Sequence, residues 1–150
     1  MEILRIGCAA GFSGDRTDAA IGVVDALVAA GGSSFLIFET LAERTLALAQ
    51  LARRKDPDRG YEPLLVDMLR PVLARCLRHS IRIVSNFGAA NPTGAARRIR
   101  ALALELGLPP PVIAVIHGDD VSGPGHRAAR GPQSIESRAG LARRSRAVLS

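Results

Sequence analysis

At 150 residues, the chain has the length of one domain and can bury a sizeable core. Hydrophobic residues make up 47% of it and aromatic residues only 3%, so Ala, Leu, Ile and Val must build that core, as in layered α/β proteins. The net charge of +6 lies almost wholly at one end: residues 1–120 carry 14 Arg and Lys against 13 Asp and Glu, whereas residues 121–150 carry six Arg and one Glu. Nucleic-acid binding is therefore disfavoured, because residues 1–120 show no basic stripe and few aromatic side chains for stacking.

Neither the cysteines nor the N-terminus indicates export or a membrane. Cys8 and Cys76 lie far apart and in no metal-ligand spacing, so they imply no disulfide framework. The first residues lack the basic segment and apolar run of a signal peptide, and no stretch approaches the ~20 apolar residues of a membrane span. We therefore expect a cytoplasmic protein with no membrane partner. Its oligomeric state stays open, with a homo-oligomer among the alternatives.

Strand and helix patterns alternate four times along residues 1–120. Short continuous apolar runs predict strands, and apolar residues at helical spacing predict the helices between them. The strands are predicted at 3–8, 35–38, 81–85 and 112–116, and the helices between Asp15 and Gly31 and at 41–51, 64–76 and 93–106. Pro71 falls inside the third helix and is expected to kink it or split it in two.

This order predicts an α/β fold, Rossmann-like, with a partial parallel sheet and helices on both faces. Right-handed crossovers would bring the loops that follow the strands to one edge of the sheet. A sheet cut after four strands would also leave one edge and one apolar face exposed.

Residues 121–150 break the pattern and are predicted to lie outside the fold formed by residues 1–120. They are rich in Arg, Ala, Gly, Ser and Pro and have few large apolar residues, so they cannot bury enough surface to offset the entropy of ordering. A disordered or linking tail is one interpretation. An altered reading frame or a truncation is the other, and we favour it because the sheet pattern stops where the next helix is due.

A Gly-rich loop follows the first strand and could bind an anion. Gly11 and Gly14 would let the backbone approach a ligand, and Ser13 and Arg16 could donate hydrogen bonds to it. Glu39 ends the next strand, where an acid can bind the ribose of a dinucleotide. The spacing is not that of a dinucleotide fingerprint, so a tight turn before a capped helix is the alternative interpretation.

Two further loops carry polar residues after strands. Asn86 and Asn91 lie in the loop after the third strand and could orient a ligand with their amides, although Asn91 followed by Pro92 also fits a helix cap. Asp119 and Asp120 follow the fourth strand and could take part in proton transfer or hold Mg²⁺. Adjacent aspartates also occur in solvated turns, and this alternative stays open.

Taken together, five stretches resemble the acyclic terpene utilization (AtuA-like) proteins. They run in the same order across nearly all of residues 1–120 and are specific only in combination. The stretches are Ile6–Arg16, Glu39–Thr45, Ala49–Pro57 with Gly60 and Tyr61, Asn86–Pro92, and Gly118–Asp120. The resemblance implies a role in the bacterial breakdown of acyclic terpenes such as citronellol and geraniol, through CoA thioesters. Since the family's chains are several times longer, it also implies that this chain is an incomplete fragment that departs from the family after Asp120.

Two functional hypotheses follow. In the first, the protein is an enzyme of acyclic terpenoid or acyl-CoA catabolism: Asp119 or Asp120 is the acid–base group, Asn86 and Asn91 orient the substrate, and the Gly-rich loop binds an anionic group. In the second, it is a nucleotide- or flavin-binding protein without a catalytic role of its own, as the Gly-rich loop and Glu39 suggest. The cofactor, whether nucleotide, flavin or CoA thioester, is left open, as is the small-molecule partner.

Overall fold

The computed structural model describes residues 3–118 and 147–149. Within them the elements occur in the order expected for repeated strand–helix units. They are β1 (Leu4–Ala10), α1 (Ala19–Ala30), β2 (Ser33–Phe38), α2 (Glu43–Lys55), α3 (Leu65–Leu69), α4 (Leu73–Arg78), β3 (Arg82–Ser85), α5 (Pro92–Glu105), β4 (Ile113–Val115) and β5 (Ala147–Leu149). No helix in these ranges combines the length and the apolar character needed to cross a membrane.

The strands form one parallel sheet in the order β1-β2-β3-β5-β4. In its register Gly7 of β1 lies beside Leu36 of β2, which lies beside Ile83 of β3. The α/β class, the parallel sheet with flanking helices and the strand–helix alternation predicted from the sequence are therefore confirmed.

Proline accounts for the break between α3 and α4. Pro71 lies between the end of α3 at Leu69 and the start of α4 at Leu73, as a residue without an amide hydrogen should in a helical segment. The predicted split of this helix is confirmed. The two short helices still bury one apolar face, because Leu69, Val72 and Leu73 are all buried.

The core lies between the sheet and helices on one of its faces. Leu36 and Phe38 of β2 are fully buried at its centre, together with Val24 of α1 and Leu102 of α5. The Phe38 ring packs on Phe87, with ring centroids 4.9 Å apart. Aliphatic side chains supply nearly all of the rest, as the low aromatic content requires.

The opposite face of the sheet is open in the described part of the chain. Because β1, β2 and β3 follow one another across the sheet, right-handed crossovers place their connections on the same side. The side chains of Leu4 and Ile6 on edge strand β1 are 57% and 62% exposed. The open edge and apolar face were expected for a sheet of few strands, but the prediction of helices on both faces is wrong for the described residues, because no helix of residues 3–118 adds a layer over this face.

The end of the chain differs from the expectation at one place. Ala147–Leu149 pairs in parallel with both β3 and β4, so these residues join the sheet although residues 121–150 were expected to lie outside the fold. Three consecutive residues can form a short strand between two others, but they are too few to show the periodic pattern from which a strand is predicted. Residues 119–146 lie outside the described part, so the division of the chain at residue 120 stays a prediction.

Candidate functional site

The carboxyl ends of β1, β2 and β3 meet at one edge of the sheet, as parallel strands require. Glu39 follows β2 and Asn86 follows β3, and the Asn86 amide donates to Glu39 Oε1 at 2.7 Å. The backbone amide of Glu39 donates to the carbonyl of Ala10, the last residue of β1. The sequence prediction that these loops gather at one edge is confirmed.

Asn86 is held from both ends of its amide. Its Oδ1 accepts hydrogen bonds from the backbone amide of Thr40 at 2.8 Å and from the Thr40 hydroxyl at 3.3 Å. Glu39 Oε1 also accepts from the backbone amide of Leu41 at 2.9 Å. Glu39, Thr40 and Asn86, here called the loop-edge network, thus fix each other's orientation before any ligand binds.

In the first Gly-rich loop, a carboxylate of the chain itself engages the backbone donors. Asp15 Oδ2 accepts from the amide of Gly11 at 2.9 Å, and Asp15 Oδ1 accepts from the amide of Arg16 at 2.7 Å. Gly14 adopts a left-handed φ of 86°, which suits a residue without Cβ. The turn therefore already holds a negative group at the place where a phosphate would seek amide hydrogens.

Arg16 is similarly engaged. Its Nε and Nη2 donate to the two carboxylate oxygens of Asp18 at 2.6 and 2.7 Å, an exposed pair at the start of α1. The hydrogen bond from Arg16 lowers the pKa of Asp18, and the same contact raises the pKa of Arg16. In this conformation the guanidinium is paired within the loop, so an incoming anion would have to compete with Asp18.

Ser13, in the same loop, contacts a carboxylate that was not among the predicted site residues. The Ser13 hydroxyl donates to Glu62 Oε2 at 2.7 Å, across 49 positions of sequence. Glu62 is only 5% exposed, and its Oε1 accepts from the backbone amide of Leu64 at 3.0 Å. A charged residue just after Gly60-Tyr61, a pair shared with the resembling family, was the one available signal for it.

Ser13, Thr40 and Glu62 line one side of a pocket of about 250 Å³ beside α2, called the α2 pocket below. Its other walls are mostly apolar and come from α2 and from the segments around residues 61–63 and 89. The full lining is Ser13, Thr40, Leu41, Thr45, Leu48, Ala49, Ala52, Tyr61, Glu62, Pro63 and Ala89. Since Thr40 belongs both to this lining and to the loop-edge network, the two features form one continuous site.

Backbone contacts hold the walls of the α2 pocket together. The amide of Glu62 donates to the Phe87 carbonyl at 2.8 Å, and the amide of Ala90 donates to the Gly60 carbonyl at 2.9 Å. Gly60 has a φ of 99°, and a Cβ there would lie 2.7 Å from Cβ of Arg53 on α2. Gly60 is thus required both by its backbone conformation and by the close approach of α2.

Asn91 serves the fold through all parts of its amide. Its Oδ1 accepts from the Gly94 amide at 3.0 Å and caps α5, which begins at Pro92. Its Nδ2 donates to the carbonyls of Pro57 and Arg59 at 3.0 and 2.8 Å. The helix-cap interpretation of this residue is confirmed, whereas the substrate-orienting role stays a prediction.

The two predicted acid–base residues follow β4. Asp119 and Asp120 lie outside the described residues, although the chain up to Gly118 leaves β4 toward the same edge of the parallel sheet. Within residues 3–118, no three His, Cys, Asp or Glu side chains come together in a way that could hold a metal ion.

A family model described as acyclic terpene utilisation family protein AtuA matches residues 4–149. The match covers all of the described residues but one at its start, including the loop-edge network and the α2 pocket. The match also extends past Asp120, so the expectation that the chain departs from the family after that residue is wrong. No curated protein and no solved structure matches the chain.

Proposed function

Because the chain belongs to the acyclic terpene utilisation family AtuA, we propose that it acts in the catabolism of acyclic terpenoids of the citronellol and geraniol type, through acyl-CoA intermediates. The observation that carries the proposal is the position of the α2 pocket. An apolar-walled pocket opens directly beside the loop-edge network at the carboxyl edge of the sheet, where ligands of open α/β folds bind.

The chemistry of the walls fits a short branched hydrocarbon. Leu41, Leu48, Ala49 and Ala52 offer contacts that depend on shape and apolar area. The pocket is smaller than the roughly 300–1,000 Å³ of sites for drug-sized ligands, so it suits a molecule of terpenoid size or one end of a longer substrate.

The polar groups of the pocket lining would orient the reactive end of the substrate. Thr40 reaches both the pocket and Asn86, so a ligand in the pocket would lie next to the loop-edge network. We keep Asp119 and Asp120 as the acid–base candidates, because the chain leaves β4 at the same edge.

A nucleotide- or flavin-binding function is less well supported by the same contacts. The Gly11 and Arg16 amides donate to Asp15, and the Arg16 guanidinium pairs with Asp18. A phosphate at this loop would have to displace both carboxylates and lie close to their charge. Glu39 Oε1, on the side chain predicted to bind a ribose, already accepts from Asn86 and from the Leu41 amide.

Ligand-observed NMR on the full chain tests the proposal with one panel of compounds. The panel contains citronellol, geraniol, the CoA thioesters of the corresponding acids, flavin mononucleotide and NAD. Each compound is added separately, and saturation transfer from the protein to the compound is the readout. We expect transfer to the terpenoid carbon chain and none to the flavin or nicotinamide rings. Transfer to a flavin or nucleotide, with none to any terpenoid compound, would replace this proposal with the alternative.

A further inference from the structure

We infer that the α2 pocket selects a small, neutral, hydroxyl-bearing aliphatic ligand, and that the buried carboxylate of Glu62 recognises its hydroxyl group. The inference rests on the proposed function and narrows it. It assigns a specificity-determining residue and the charge state of the ligand that enters, which membership of the family does not provide.

The polarity of the α2 pocket favours a neutral ligand. Its described lining contains one carboxylate, three hydroxyl-bearing residues besides Tyr61, and no Arg or Lys. A ligand with a carboxylate or phosphate here would face Glu62 with no cation in the lining to balance the two charges. A neutral ligand avoids this repulsion.

The carboxylate of Glu62 is held in place and keeps acceptor capacity for a ligand. Both of its carboxylate oxygens accept hydrogen bonds, one from the Ser13 hydroxyl and one from the Leu64 amide. These contacts fix the carboxylate in place, and an ionised carboxylate has about four acceptor positions in all. Glu62 can therefore accept one more hydrogen bond from a ligand hydroxyl, in the way that it accepts one from Ser13.

The apolar walls of the α2 pocket suit the hydrocarbon part of such a ligand. Leu48 of α2 lines the pocket yet is 54% exposed, although it is a large apolar side chain. Ala49 and Ala52 lie on the same helix and leave space beside it. A bound aliphatic chain would cover Leu48 and gain roughly 25 cal/mol for each Å² of apolar surface removed from water.

Tyr61 makes the inference directly measurable. It is the one tyrosine of a chain without tryptophan, and it lines the α2 pocket. Fluorescence excited in the tyrosine band therefore reports on this pocket alone. The experiment titrates the full chain at pH 7 with citronellol and, separately, with the carboxylic acid of the same carbon skeleton.

We expect saturable changes in Tyr61 emission, with the acid binding at least about tenfold more weakly than the alcohol. Glu62→Gln keeps the size of the side chain and should weaken alcohol binding by about tenfold while removing the discrimination against the acid. Ala49→Leu should fill the pocket and abolish binding. Its matched control, Ala47→Leu on the exposed side of the same helix, should bind as the wild type does.

The outcomes separate this inference from the proposed function. Equal affinities for alcohol and acid, or wild-type binding by Ala49→Leu, would overturn the role of Glu62 and the pocket. If citronellol shows saturation transfer by NMR while Tyr61 emission does not respond, the ligand binds elsewhere, and the inference fails while the proposed function stands. Binding by neither method would overturn both.

Discussion

The side-chain amide of Asn86 donates to Glu39 Oε1 at 2.7 Å and so joins the ends of two neighbouring strands. Replacing Asn86 with Asp keeps the shape but sets two carboxylates against each other and removes the donor. We expect Asn86→Asp to lower the free energy of unfolding at pH 7 by about 1–3 kcal/mol. Urea unfolding of the variant and the wild type at pH 7 measures this.

A compensating variant controls for other effects of that substitution. In Glu39→Gln/Asn86→Asp one carboxylate is removed and a donor faces an acceptor again, so part of the stability at pH 7 should return, although the Leu41 amide loses its acceptor on Oε1. A double variant as unstable as Asn86→Asp alone would show that this hydrogen bond does not hold the two loops together.

Asn91 should matter for stability more than Asn86 does. Asn91→Ala removes the cap of α5 and leaves the carbonyls of Pro57 and Arg59 without their donor. We expect a loss of roughly 2–4 kcal/mol in the free energy of unfolding. Asn91→Ser keeps a capping oxygen and loses the amide donor, and it should lie between the wild type and Asn91→Ala. Equal stabilities for all three would contradict the contacts described for this residue.

The two cysteines should differ sharply in reactivity. Burial raises the pKa of the Cys76 thiol to about 12 and closes it to reagents, whereas Cys8 is exposed on β1. A thiol-specific chromogenic reagent at pH 8 should therefore label one cysteine per native chain and two after denaturation, and Cys8→Ser should abolish the native reaction. Native labelling of Cys8→Ser would mean that the interface of α4 with the sheet opens readily.

Acid should weaken a surface cluster near the end of α5. Hydrogen bonds from Arg70 and then Arg98 lower the pKa of Glu105. Because the folded-state pKa lies below the unfolded one, the stabilisation is present at neutral pH and is lost as the pH falls through the folded value. Glu105→Gln should therefore flatten the acid limb of a plot of melting temperature against pH. In 1 M salt, where the screening length is about 3 Å, the difference between the two proteins should narrow. An unchanged acid limb at low salt would argue against these ion pairs in solution.

The elements that were predicted correctly from the sequence have local physical causes. A run of apolar residues suffices to identify β2, and Pro71 breaks its helix whatever surrounds it. The meeting of Glu39 and Asn86 was also accessible, because parallel strands with right-handed crossovers bring their following loops to one edge.

The rest depends on contacts between distant segments. Glu62 was missed because the hydrogen bond that joins it to the first loop comes from Ser13, which lies 49 positions away. Asp15 likewise accepts from the amide of Gly11 and so closes the Gly-rich loop on itself, a contact that its residue type alone does not indicate. A residue type shows what a side chain can donate or accept, but only the fold determines its partner.

The measurement that tests the proposed function most directly is a two-dimensional amide NMR spectrum of the full chain during titration with citronellol. We predict saturable shifts at the amides of Thr45, Ala49, Ala52 and Glu62, which surround the α2 pocket. A second groove of about 510 Å³ lies between α4 and the connector Pro109–Pro111 and serves as an internal comparison. Shifts confined to that groove, or no shifts at any concentration that citronellol reaches in water, would contradict the account.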